Sequence, residues 1–309
     1  MDEMTSYLGW KIDFANPVGE AAFHGPESVQ WRVFKNPVAL AVGGVAAVLM
    51  EFADARIRSG VWDHSVYKQD PIGRSKRTGV AAMVGVYGPQ SAARRVIQGV
   101  TNMHARVKGE TPSGEAYRAL DTELLDWVSA TAGYGFLTAY DRFVAPLSEA
   151  DKLRFFSEGE VVAKLYGVQV LPKSPAEFVA MANKLAPRFE PHPIIDEFLE
   201  IIQSGKAAPG TPKALHRALA RAAVSILPSV VAEPLAFGPE YRLQTADRLM
   251  LKAFGQLAER IPVKASPPSQ ACVRLGLPAN FLYLSQAAQR RLLEKAGMAT
   301  GPAVLEAAA

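Results

Sequence analysis

The chain has one cysteine, Cys272, in 309 residues. A single thiol excludes an intramolecular disulfide and any cysteine-based zinc motif. It suits a reducing compartment, so the expectation is a cytoplasmic protein. A strong excess of either charge is also lacking. Lys and Arg number 34 against 30 for Asp and Glu, a net +4 spread along the chain, too little for a nucleic-acid footprint. The start, Met1-Asp2-Glu3-Met4, is acidic and meets no apolar core before Trp10, so no secretory signal is read. Long hydrophobic runs are missing as well. The most apolar stretch, Pro37 to Met50 around Gly43 and Gly44, closes at Glu51 and Asp54. That is short of the ~20 residues a spanning helix needs, so it reads as a buried core helix and not a transmembrane segment. Strict apolar/polar alternation bounded by turn residues is absent, as is any repeat of ~20–50 residues. Nothing in the sequence bears on oligomeric state.

Helix signals fill the space those absences leave. Hydrophobic residues make up 49% and charged residues 21%, enough to bury a sizeable core without a staple. Gly88-Pro89 opens a segment to about Lys108, on which Val96, Ile97, Val100, His104 and Val107 share one face, with Gly109 as its stop. Asp121 stands as N-cap of a helix reaching about Tyr140. Ser148-Glu149-Ala150-Asp151 and Ser174-Pro175-Ala176-Glu177 have the form of capping boxes, the first opening a helix to about Tyr166. Thr211-Pro212 opens another that Leu227-Pro228 ends. Pro193–Gln203, Tyr241–Glu259 and Gln286–Ala296 complete the set. Ser204–Thr211 and Pro262–Ser269 read as inter-helix loops, and 300–309 as a frayed tail. The expectation is an all-α fold in one multi-helix domain over 1–309.

Two features carry candidate chemistry. Ser59 to Thr78 holds two glycines, a proline, His64 and four cations. Asp70-Pro71-Ile72-Gly73 is a turn by composition. On a helix after it, Arg74 and Thr78 share a face, followed by the small residues Ala81, Ala82 and Gly85. A cation and a hydroxyl beside such a surface suit a flat anionic ligand; the bland alternative is a capped helix start with a solvated basic patch. His104, on its apolar stripe, should point inward. A neutral imidazole held by a helix can ligate an iron, or it can be a buried histidine bonded to a carbonyl.

The blocks Gly60-Val61…His64-Ser65…Asp70-Pro71-Ile72-Gly73-Arg74…Thr78, then Met103-His104-Ala105-Arg106-Val107-Lys108-Gly109, then Tyr117-Arg118-Ala119-Leu120-Asp121…Trp127-Val128, then Leu171-Pro172-Lys173-Ser174-Pro175 stand in one order. In that order they resemble the catalytic domain of the mpaB/rubber oxygenase family, best over Pro37 to Phe178. The resemblance implies an all-helical fold with a b-type haem pocket between helices. It implies His104, from His-x-x-Val-x-Gly, as axial iron ligand, with Arg74 and Thr78 supporting the haem and His64 beside it. Arg77 falls where relatives present a cation over the open face, though a surface arginine is the plainer reading. The implied activity is a haem-dependent oxidoreductase, an oxygenase using dioxygen on an apolar, isoprenoid- or lipid-like substrate. The sequence also departs from the pattern. Asp54-Ala55 replaces a His-Pro, Ser129 follows Trp127-Val128 where relatives have histidine, and Arg56-Ile57-Arg58-Ser59 has no carboxylate where rubber oxygenases carry an acidic base. A non-catalytic haem carrier or sensor, or a helical protein that binds a hydrophobic ligand without haem, therefore stays open beside the oxygenase.

Other constellations carry less. Glu158 and Glu160 are two apart and should diverge. Glu51 and Asp54 read as a helix end. His192 and His216 should lie in separate helices, and His216, Arg217 and Arg221 should form a solvated basic face.

Overall fold

The computed structural model describes residues 6–7, 10–64, 70–206 and 210–298, with the backbone alone at 6–7, 10–11, 71, 74 and 75. Residues 65–69 of the candidate segment and the tail 300–309 lie outside them. The described residues form fourteen helices and two short β-ribbons. The all-α expectation holds, and the ribbons are a correction to it. Ser6–Tyr7 (β1) pairs with Trp10–Lys11 (β2), and Lys108–Glu110 (β3) pairs antiparallel with Ala116–Arg118 (β4). Strands of two or three residues are too short to show alternation. What marks the second ribbon is its turn, Thr111-Pro112-Ser113-Gly114, where Gly114 takes φ +83 and its N–H bonds Thr111 O at 2.8 Å.

The apolar run is a helix, α2 (Pro37–Phe52), opened by the side chain of Asn36, which accepts from Val38 and Ala39 N–H. It crosses α6 (Thr122–Phe143) closely enough for their backbones to touch. A Cβ on Gly43 would sit 2.7 Å from Phe136 Cα, and one on Gly135 2.5 Å from Gly43 O. Glycine at both positions is what permits the approach. Trp127 Nε1 on α6 donates to Met50 O on α2 at 3.3 Å, and its ring stacks on Phe178 and Phe189. Phe178 belongs to α8 (Pro175–Leu185), which starts as its capping box predicts, with Glu177 N–H donating to Ser174 Oγ.

Around this pair pack α9 (Pro193–Ser204), α10 (Lys213–Ser225), α11 (Ser229–Leu235) and α12 (Thr245–Ala258), which share its core. A second core gathers α1 (Val29–Phe34), α4 (Pro71–Tyr87), α7 (Glu149–Leu165), α13 (Pro267–Arg274) and α14 (Gln286–Lys295). There Trp31 Nε1 bonds Val86 O and Tyr87 Oη donates to Trp31 O. No single helix among the described residues is long and apolar enough to cross a membrane. The pair α10–α11, bent by 116°, passes that test together by length and composition only.

Several local expectations change. His192 is not within a helix but caps α9, its Nδ1 accepting from Ile194 N–H at 3.2 Å. His216 is buried and bonds Thr211 Oγ1, and Arg221 pairs with Asp247 at 3.2 Å, so of that face only Arg217 is solvated. Glu158 and Glu160 do diverge, to Arg154 and Lys164 respectively.

Candidate functional site

Helix α4 begins three residues earlier than the sequence places it, with Asp70 as N-cap: Gly73 N–H donates to Asp70 Oδ1 at 2.7 Å. The supposed turn is the cap itself, and the helix runs from Pro71. Arg74, Arg77 and Thr78 therefore fall in its first two turns. Gly88 and Pro89 join α4 to α5 (Gln90–His104), which puts Arg74, Arg77 and Thr78 near the start of the first helix and His104 at the end of the second. Arg77 is half-buried and lies 3.8 Å from Asp70, a weak pairing that keeps it near the helix start. Thr78 is exposed.

Helix α5 is shorter than expected. It ends at His104, not near Lys108, and Gly109 lies in β3 rather than serving as the helix stop. Val107 N–H still bonds His104 O at 2.9 Å, and Ala119 N–H then bonds Val107 O at 2.9 Å, so the ribbon takes over the chain at that point. The apolar stripe is real but unevenly covered. Ala93 and Ile97 are buried, at 0% and 3% exposed, while Val100, His104 and Val107 are only half-buried. The expectation that His104 points fully inward is thus corrected: it sits at the uncovered end of the stripe.

The ribbon links His104 to α3 (Ala55–His64). A Cβ on Gly60 would meet Tyr117 Cε2 at 3.4 Å and Val107 Cγ1 at 3.5 Å. His64, the last residue of α3, is exposed and presents its ring edge-on to Tyr117, centroids 6.3 Å apart. Tyr117 has no role assigned by the sequence alone. Its ring is 2% exposed, and its hydroxyl has no hydrogen bond of good geometry. Burial first, then the neighbouring Asp63 carboxylate, raises its pKa. Gly109 faces this hydroxyl, since a Cβ there would lie 2.8 Å from Tyr117 Oη. The signal available in the sequence was a tyrosine eight residues after a glycine, across a Pro-Ser-Gly turn.

The carboxylate missing ahead of Gly60 has a structural counterpart. Arg58 is 3% exposed and donates to Phe52 O at 2.8 Å and to the Glu190 carboxylate. Arg56 forks to Asp54 and Glu123, each at 2.7 Å. Two carboxylates, Glu123 and Glu190, thus reach this corner from elsewhere in the chain to join the local Asp54, and each of the three is held by an arginine. Two recesses open nearby and on α10's far end. One, of about 230 Å³, is lined by residues including Asp54, Glu115, Arg188 and Glu190. The other, of about 560 Å³, is lined by residues including Phe237, Tyr241 and Arg242. Neither is lined by His104, Arg77, Thr78 or His64.

Among the described residues no cluster of three or more His, Cys, Asp or Glu side chains could hold a bare metal ion. A haem asks less of a protein, needing one axial donor, an apolar flank, and cations or hydroxyls for its carboxylates. An imidazole at a helix end and a half-covered apolar stripe match that demand in kind. What the fold defines is an all-helical protein whose candidate donors lie at the start of α4, the end of α5 and the end of α3, the last two next to a β-ribbon. The family model described as "ER-bound oxygenase mpaB/B'/Rubber oxygenase, catalytic domain" matches residues 31–260, and the chain belongs to that family. No curated protein and no solved structure matches significantly.

Proposed function

We propose that the chain is a haem-b-dependent oxygenase acting on an apolar substrate. The observation that carries this reading is the apolar stripe of α5, covered at Ala93 and Ile97 and half-open where it reaches His104. His104 would be the axial ligand, its backbone fixed by the bond from Val107 N–H. Arg74 and Thr78, from the first two turns of α4, would hold the propionates as a cation and a hydroxyl. Arg77 would remain as a donor toward the open face, tethered only weakly by Asp70. His64 and the Tyr117 hydroxyl would border the site from the ribbon side. Bound haem would supply the dioxygen chemistry, while the protein sets axial ligand, polarity and access. The half-buried Val100 and Val107 offer an apolar approach for an isoprenoid- or lipid-like chain.

The test is the absorption spectrum of protein purified from cells grown with a haem precursor, together with oxygen uptake in the presence of apolar alkenes. The reading expects a Soret band at one haem per chain, lost in His104→Ala, and substrate-dependent oxygen consumption. A Soret band that survives His104→Ala unchanged would sink it.

One observation favours a second reading, a haem carrier or sensor. Asp54, Glu123 and Glu190 are each bound by Arg56 or Arg58, so none of these three carboxylates stands ready as a base. A haem-loaded protein that consumes no oxygen with any alkene, and holds haem regardless, would select that reading.

A further inference from the structure

Helix α12 is anchored by one face and, among the described residues, uncovered on the other. Its inner face carries Leu251, at 0% exposed, and Gly255, where a Cβ would lie 2.6 Å from Phe143 O. The two acids of this region turn inward with it. Asp247 is 8% exposed and pairs with Arg221, while Glu259 takes Lys35, Asn36 and Tyr140. Outward stand Leu249 at 61%, Phe254 at 46% and Leu257 at 52% exposed, and the loop beyond adds Ile261 and Val263. Five of the eleven exposed large hydrophobic side chains among the described residues fall in this one stretch of fifteen, so the patch is not chance scatter. Arg242, Arg248, Lys252, Arg260 and Lys264 are exposed around it, and none is ion-paired among the described residues.

We propose that the outer face of α12 and the loop to Lys264 dock the protein on an anionic lipid surface. On the helix, Leu249, Ala253 and Leu257 share one arc at spacings of four, with Phe254 at its border. Arg248 and Lys252 lie along the opposite edge. An apolar arc beside a cationic edge, without an exposed acid, is the composition of a helix that lies in a membrane interface. Anionic headgroups complement those cations, and acyl chains take the apolar arc without demanding a matched shape. A protein partner is less well served, because its affinity rests on Trp, Tyr or Arg anchors seated in pockets. This stretch offers one Phe and no Trp or Tyr on an outward helix face. The proposal does not depend on haem.

The test is flotation of the full chain with vesicles of phosphatidylcholine alone, or of phosphatidylcholine and phosphatidylserine in equal parts. Binding to the anionic vesicles is expected to exceed that to neutral ones by at least about tenfold, and to weaken as salt shortens electrostatic reach. Leu249→Ser/Leu257→Ser and Lys252→Glu/Arg260→Glu change exposed positions only, so both should keep the wild-type melting temperature. Each is expected to lose about tenfold or more in vesicle binding. Absence of binding to anionic vesicles, or equal binding by wild type and both folded variants, would overturn the proposal. So would a chain that ignores vesicles but forms a dimer broken by Leu249→Ser/Leu257→Ser, which would assign the face to a second copy.

Discussion

His24 is 5% exposed, and burial pushes its pKa down to about 4. In an unfolded chain a histidine takes its proton near ~6.5. Between those two values the unfolded state binds a proton that the folded state refuses, so stability falls as pH drops through that window. The loss from this one group can reach ~3 kcal/mol. Denaturant midpoints measured near about pH 7 and about pH 5 should therefore separate less in His24→Gln than in the wild type. Identical separations would place the acid sensitivity elsewhere. Tyr117 makes a second residue-scale case. Because its hydroxyl has no well-formed bond, Tyr117→Phe should change stability by no more than ~0.5 kcal/mol. Gly109→Ala should cost ~1–3 kcal/mol through the contact with that hydroxyl. In the double variant part of that cost should return, and strict additivity would show that the hydroxyl is not the obstacle.

At the scale of elements, the α2–α6 crossing is held by two glycines rather than by large side chains. Gly43→Ala or Gly135→Ala drives a methyl into facing backbone and should cost ~3 kcal/mol in chemical denaturation. Gly44→Ala, whose methyl would meet only Phe136 Cε1 at 3.8 Å, should be neutral or gain up to ~1 kcal/mol from helix propensity. Equal effects at Gly43 and Gly44 would contradict a backbone-to-backbone contact. The same scale explains what was legible beforehand. Helix starts at Ser148 and Ser174 could be read because the cap and its partner lie three residues apart. The end of α5 could not, because the path of the chain beyond His104 is set by the bond between Val107 and Ala119, a partner in the far arm of the ribbon. The stretch Arg56-Ile57-Arg58-Ser59 showed no carboxylate for a related reason. Glu123 and Glu190, the partners of its arginines, are distant in the chain. Of the candidate site, the residue types and order were visible, while the half-covered stripe, the ribbon next to it and the buried Tyr117 hydroxyl required the fold.

The whole molecule is larger than the family match, and the flanks of residues 31–260 close on each other. Arg274, at 0% exposed, donates to Phe14 O, Glu20 O and Tyr87 O, joining the first segment, α13 and the end of α4. Arg274→Met would remove three hydrogen bonds given by a buried cation, at ~1–3 kcal/mol each. Limited proteolysis should then cut first between Phe14 and Ser28, and an unchanged digestion pattern would deny that arginine its tying role. The apolar core around α2 and α6 takes in Val61 of α3, and the second core takes in Val80, Val84 and Tyr87 of α4 with Ala93 of α5. His104, at the other end of α5 from Ala93, is only half-buried. Titration of the purified chain with haemin, followed by absorption, bears most directly on that residue as an iron ligand. Wild type should saturate at one haem with a sharp Soret band, His104→Gly should lose it, and added imidazole should restore it. A wild-type chain that never saturates, or a His104→Gly band that matches wild type before imidazole is added, would contradict the ligation.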